Sequence, residues 1–123
     1  MKEGTLKALD EDDVEFVEIL QSLGMQRAVA VVITYISKAG EATSKEIEEA
    51  AQLSQSEVSI AVQDLRVEEW IDERTAQPRG KGRPPVVYSL RTPVGEIIKQ
   101  LEEEKLREYA DVMEDIRRLK GLA

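Results

Sequence analysis

The chain contains no cysteine and no histidine. Without cysteine there is no disulfide framework and no thiolate metal site. Without histidine there is no imidazole ligand, no ordinary general base, and no Ser-His or Cys-His nucleophile. Aromatic residues make up 4% of the chain while apolar residues of all kinds reach 41%, so any core must be aliphatic. At 123 residues that core serves one domain, or one domain plus an extension. No apolar run approaches bilayer-spanning length, and none near Met1 has the shape of a signal segment. The expected location is the cytoplasm, with no membrane attachment. Carboxylates are plentiful, but they fall in runs such as Glu102-Glu103-Glu104 on helix surfaces. Gly80-Lys81-Gly82 is too short for a phosphate loop and follows no strand-to-helix pattern. The expectation is a protein that is not an enzyme, with no catalytic residue, no metal site and no cofactor.

What is present centres on Thr43 to Leu65. Thr43 and Glu46 have the spacing of a capping box, in which hydroxyl and carboxylate each satisfy an orphan amide. Ile47, Ala50 and Ala51 follow as a short apolar stripe. The stripe stops at Gln52-Leu53, and Ser54 with Glu57 repeats the capping-box spacing at once. Val58, Ala61, Val62 and Leu65 then recur at i, i+3, i+4 and i+7. Two helices joined this closely have the pattern of a helix-turn-helix. The second helix spans about residues 54–67. Its outer face carries Gln55, Ser56, Ser59, Ile60 and Gln63 in place of the usual Lys and Glu. Such groups suit base edges and thymine methyls, and equally suit an idle surface.

Upstream, Met1 to Asp10 carries no periodic signal. Glu11-Asp12-Asp13 is acid at a helix start, and Phe16, Ile19, Leu20 and Leu23 continue that helix to a glycine stop at Gly24. Met25 to Ser37 is rich in β-branched residues, yet its length favours a helix ending at Gly40. Glu41-Ala42 then reads as a very short strand. Downstream, Trp70 to Ala76 and Val86 to Leu90 are extended stretches. The segment 78–85 between them is rich in Gly and Pro, the pattern of a hairpin with a long tip. The formal net charge is −8, but Arg74, Arg79, Lys81, Arg83 and Arg91 form an island that contains no carboxylate. A basic island in an acidic protein is a local electrostatic footprint. A helix-turn-helix followed by a basic hairpin is a winged helix.

The run KAGEATSKEIEEAAQLSQSEVSIAVQDLRVEEWI, followed by GKGRPPVVYSL, resembles archaeal and bacterial winged-helix regulators of the TrmB and MarR types. The resemblance covers about residues 12–91. It implies a transcriptional regulator that binds duplex DNA. Two features depart from the pattern. Glu68-Glu69 stands where such chains often have Lys-Gly, and Gln55-Ser56 where they often have Arg or Lys.

From Val94 to Leu119 only Gly95 interrupts helix-forming residues. Thr92 reads as the N-cap and Pro93 as the first helical position. Ile98, Leu101, Tyr109, Val112, Ile116 and Leu119 lie along a heptad-like seam with one stutter at Lys105. Such a seam fits a second copy of the helix in a homodimer, or packing back onto the first helix of the same chain.

The expected fold is mostly α with a small β-hairpin wing. It comprises a winged helix-turn-helix domain at 1–91 and a C-terminal dimerisation helix at 92–123. The expected partners are double-stranded DNA and a second copy, with Gln55, Ser56, Ser59, Ile60 and Gln63 in the major groove. Thr43, Ser44 and Lys45 would hold a phosphate, and Arg79, Lys81 and Arg83 would lie at the minor groove. The alternative is a winged-helix protein-interaction adaptor that binds no DNA.

Overall fold

A computed structural model describes residues 9–77, 80 and 82–123. It divides into two compact units, one ending at Thr92 and one running Pro93–Ala123.

The first unit is built on a helix that is apolar all round. α2 (Arg27–Ala39) buries every residue from Val29 to Ile36. A helix with no polar face belongs inside, and this explains why its β-branched composition mimics a strand. Thr34 is tolerated there because its Oγ1 donates to the Ala30 carbonyl at 2.7 Å. α1 (Glu11–Ser22), α4 (Gln55–Val67) and β3 (Val86–Leu90) pack around α2.

α1 opens with a cap that sequence reading passed over. Asp10 is the N-cap, and its carboxylate accepts from the Asp13 amide at 2.9 Å. The Asp13 carboxylate accepts from the Asp10 amide, also at 2.9 Å. Lys38, in the last turn of α2, donates to Asp13 at 2.7 Å and to Asp10 at 3.2 Å. The helix closes at Gly24, whose φ of 105° only glycine adopts freely. The Gly24 amide reaches Gln21 and the Met25 amide reaches Leu20, the paired bonds of a Schellman cap.

β1 (Glu41–Thr43), β2 (Ile71–Thr75) and β3 form an antiparallel sheet in the order β1-β3-β2. Register sets Glu41 and Asp72 on either side of Ser89, and Ala42 and Glu73 on either side of Tyr88. β2 and β3 are the expected hairpin, and β1 is one residue longer than expected.

The second unit is α5 (Val94–Leu122). Its N-cap position is Pro93, with no side-chain cap, so the expected Thr92 cap is corrected. The Thr92 hydroxyl instead donates to the Glu69 carbonyl at 3.4 Å, a long bond.

Candidate nucleic-acid interface

α3 (Ser44–Ala51) and α4 form the helix-turn-helix, and both expected capping boxes are present. Thr43 Oγ1 accepts from the Glu46 amide at 3.2 Å, and the Thr43 amide donates to Glu46 Oε1 at 2.9 Å. Ser54 and Glu57 make the same exchange at 3.1 and 2.8 Å. The turn between the helices needs one residue in the left-handed region, and Gln52 takes it with φ 56°. Leu53 then goes inward and is buried, and its amide closes onto the Glu48 carbonyl. The turn is thus held by an apolar anchor and two caps, and α4 leaves it at a fixed angle.

Val58, Ala61, Val62 and Leu65 are buried on one side of α4. Gln55, Ser56, Ser59, Ile60 and Gln63 are exposed on the other, so the structure brings these five to one surface. Sequence reading missed Val67, which lies on the same outer line and is 80% exposed. Helical spacing from Ile60 and Gln63 was the signal that could have found it. α4 ends in a Schellman cap like that of α1, with the Trp70 amide on Leu65 and the Glu69 amide on Arg66. Glu69 holds the left-handed position, φ 63°, where glycine is usual. Departure from the common Lys-Gly pattern therefore changes the residue and leaves the geometry.

At the start of α3, Thr43 and Ser44 are half-buried and Lys45 is exposed. The Glu46 carboxylate already occupies the Thr43 amide. An incoming anion at this helix start would meet the Ser44 hydroxyl and Lys45.

The wing closes where the Ala76 amide donates to the Pro85 carbonyl at 2.9 Å. Gly80 and Gly82 both take positive φ at its tip. Arg83 is exposed there. Arg79 and Lys81 lie outside the described residues.

Two members of the basic island, Arg74 and Arg91, are each paired with an acid. Arg74 Nη2 donates to both Glu41 carboxylate oxygens at 2.9 Å, crossing β3 from β2 to β1. Arg91 Nε donates to Asp72 Oδ1 at 2.8 Å, and that carboxylate holds the guanidinium more firmly in its charged form. Arg66, the one cation of α4, is paired with Glu73, which raises its pKa in the same way. Sequence proximity grouped Arg74 and Arg91, while the folded sheet supplied each with its own acid.

On α5, Ile98, Tyr109, Val112, Ile116 and Leu119 are exposed, and Leu101 is half-buried. Ile97 is the buried residue of the helix. Leu106, Met113 and Leu122 are exposed as well, so the apolar stripe is broader than the expected seam. On α1 Ile19 is also exposed, as is Leu23 just past its end.

Among the described residues no group of carboxylates could hold a metal ion, and no helix is long and apolar enough to cross a membrane.

Five helices among the described residues, two of them forming a helix-turn-helix, and a hairpin wing define the class: this is a winged-helix protein. The MarR family model matches residues 23–82, from the end of α1 into the wing, and there the chain shows the MarR resemblance. That family consists of transcription regulators and not of enzymes. Solved structures agree on the fold. A possible transcriptional regulator from Methanosarcina mazei Go1 is 19% identical over 81% of this chain and 82% of its own, with a TM-score of 0.58. A mutant MarR from E. coli complexed with operator DNA is 18% identical over 77% of this chain and 66% of its own, with a TM-score of 0.51. A MarR family regulator from Neisseria meningitidis is 20% identical over 81% and 68%, with a TM-score of 0.50. The search of curated proteins finds no match.

Proposed function

We propose that this protein is a transcriptional regulator that binds duplex DNA as a homodimer. The observation that carries the reading is the outer face of α4. It is a rigidly based helix surface of short polar, amide and apolar side chains, bearing no free-standing lysine or arginine. Gln55, Ser56, Ser59, Ile60 and Gln63 face the bases of the major groove, and the Gln63 amide is suited to adenine. Ser44 and Lys45 hold a phosphate beside α3, with Thr43 fixing that turn. Arg83, with Arg79 and Lys81, follows the minor groove. Support comes from the MarR family match and from a structural neighbour of like fold that was solved on operator DNA.

Residues 1–91 supply the DNA-binding domain, and the helix of 92–123 joins two copies. The exposed stripe through Leu106, Tyr109, Val112, Met113 and Ile116 supports this, because water-exposed aliphatic rows of that length are rare on monomers. Two copies would set their α4 helices about 34 Å apart, one turn of duplex. The dimer confines the protein's effect to sites with two half-sites.

Selection of bound sequences from a random duplex pool tests the reading. The expected result is a recurring site with two-fold symmetry. Gln63→Ala should then flatten preference at one position of each half-site by about 1–3 kcal/mol. A protein that retains no duplex at low salt is not a DNA-binding regulator, and the adaptor reading replaces it.

A further inference from the structure

The middle of the exposed α4 face is a single line of four residues, Ser56, Ile60, Gln63 and Val67, at i, i+4, i+7 and i+11. Two of the four are aliphatic, and both stand well out: Ile60 is 54% exposed and Val67 80%. Both are open to whatever this face of α4 meets. Nothing on this line can make the fork contact that identifies guanine, which takes arginine or lysine. Arg66 is the helix's one cation, and it is turned to Glu73 on β2. The Glu57 carboxylate is held on the Ser54 amide, which removes it as a partner for cytosine.

What remains on the line is the Ser56 hydroxyl, which suits any base, an amide for adenine and two apolar groups. In the major groove the one apolar feature of any base pair is the thymine 5-methyl. Ile60 and Val67 are seven residues apart. At 1.5 Å per residue they are separated by about 10 Å, roughly three base-pair steps of 3.4 Å. We infer that α4 reads thymine methyl groups: Ile60 and Val67 each cover one, about three base pairs apart, on either side of an A·T pair recognised by Gln63. The half-site core is A·T-rich, and it is recognised largely by methyl burial rather than by guanine contacts. This inference rests on the proposed DNA reading and adds what kind of sequence the face takes.

The test replaces thymine by uracil, one position at a time, in duplexes recovered from a random pool. Uracil pairs identically and lacks only the methyl group. Loss of one buried methyl should weaken binding about fourfold, at two positions of each half-site. Ile60→Ala should abolish the uracil penalty at one of them and Val67→Ala at the other. Both side chains are exposed, so unchanged thermal unfolding of the variants will show that the fold is intact. Equal affinity for thymine and uracil duplexes, or a recovered core defined by G·C pairs, overturns the inference and leaves DNA binding standing. Failure to retain any duplex overturns the DNA reading and the inference together.

Discussion

α2 and α5 are both helices with apolar stripes, and they meet opposite fates. α2 has 13 residues and buries eight consecutive ones, while α5 has 29 residues and buries only Ile97. The difference lies in what surrounds them. α2 is enclosed by α1, α3, α4 and the sheet, so its charge-free middle is a requirement of the fold. α5 alternates its stripe with Glu102, Glu103, Glu104, Arg107 and Glu108, which keep one side wet. A helix that is apolar all round belongs inside, whereas one apolar on one side only keeps its other side in water; on the proposed reading the apolar side of α5 meets a second copy.

The sharpest way to break that comparison is to disrupt each helix, by charge in α5 and by truncation in α2. Val112→Glu should give a folded protein that sediments as a monomer. Its DNA affinity should fall by about a hundredfold or more, because tethering two copies multiplies their separate affinities. If wild-type protein is itself monomeric at micromolar concentration, α5 is no dimerisation helix. The counterpart in α2 is Ile33→Ala. A fully buried isoleucine there should cost about 2–5 kcal/mol of unfolding free energy, seen in urea titration. Its self-association should be untouched while the protein stays folded.

Smaller changes sharpen the distinction. Glu69→Gly relieves a side chain held at φ 63°. It should stabilise the winged-helix unit by about 1 kcal/mol, read as a higher melting temperature. Sedimentation should not change. The smallest effect concerns Lys38. The backbone bond from Asp13, and then Lys38, hold the Asp10 carboxyl below its ordinary value of 3.8. Asp13, and then Asp10, hold the Lys38 ammonium above 10.5. For Asp10 the stabilisation is present above the unfolded value and is lost as pH falls through the lowered one. For Lys38 it is present below the unfolded value and is lost as pH rises through the raised one. With no histidine in the chain, the melting temperature should be flat from about pH 5 to 8. Lys38→Met should lower it slightly across that plateau. A step near neutrality would contradict this account.

The helix-turn-helix was legible because its signals are local. Capping boxes, a 3.6-residue period and Gly stops each act within a few residues, and all of them appear where Thr43, Ser54 and Gly24 stand. The fates of Arg74 and Arg91 were not legible. Their partners, Glu41 and Asp72, are 33 and 19 residues away in sequence and become neighbours only through strand register. Lys38 was hidden in a like way: its acids lie 28 and 25 residues upstream and meet it only where α1 packs on α2. Glu69 at a glycine position was hidden for another reason: the Schellman hydrogen bonds are backbone bonds, and any residue can be forced to make them. The full width of the α5 stripe escaped because a strict heptad pattern leaves out Leu106 and Met113.

The paired arginines also bear on how such a protein would find its target. Lingering on arbitrary duplex depends on cations free to displace counterions. Here the net charge is −8, and Arg66, Arg74 and Arg91 are each engaged with an acid. On the proposed reading, Lys45 and the wing are left to displace counterions, and random stretches of chromosome would hold the protein only briefly. Its search would proceed by repeated collision from solution rather than by long one-dimensional sliding. Occupancy of a cognate site would then follow changes in protein concentration with little delay, since few molecules are sequestered elsewhere along the genome.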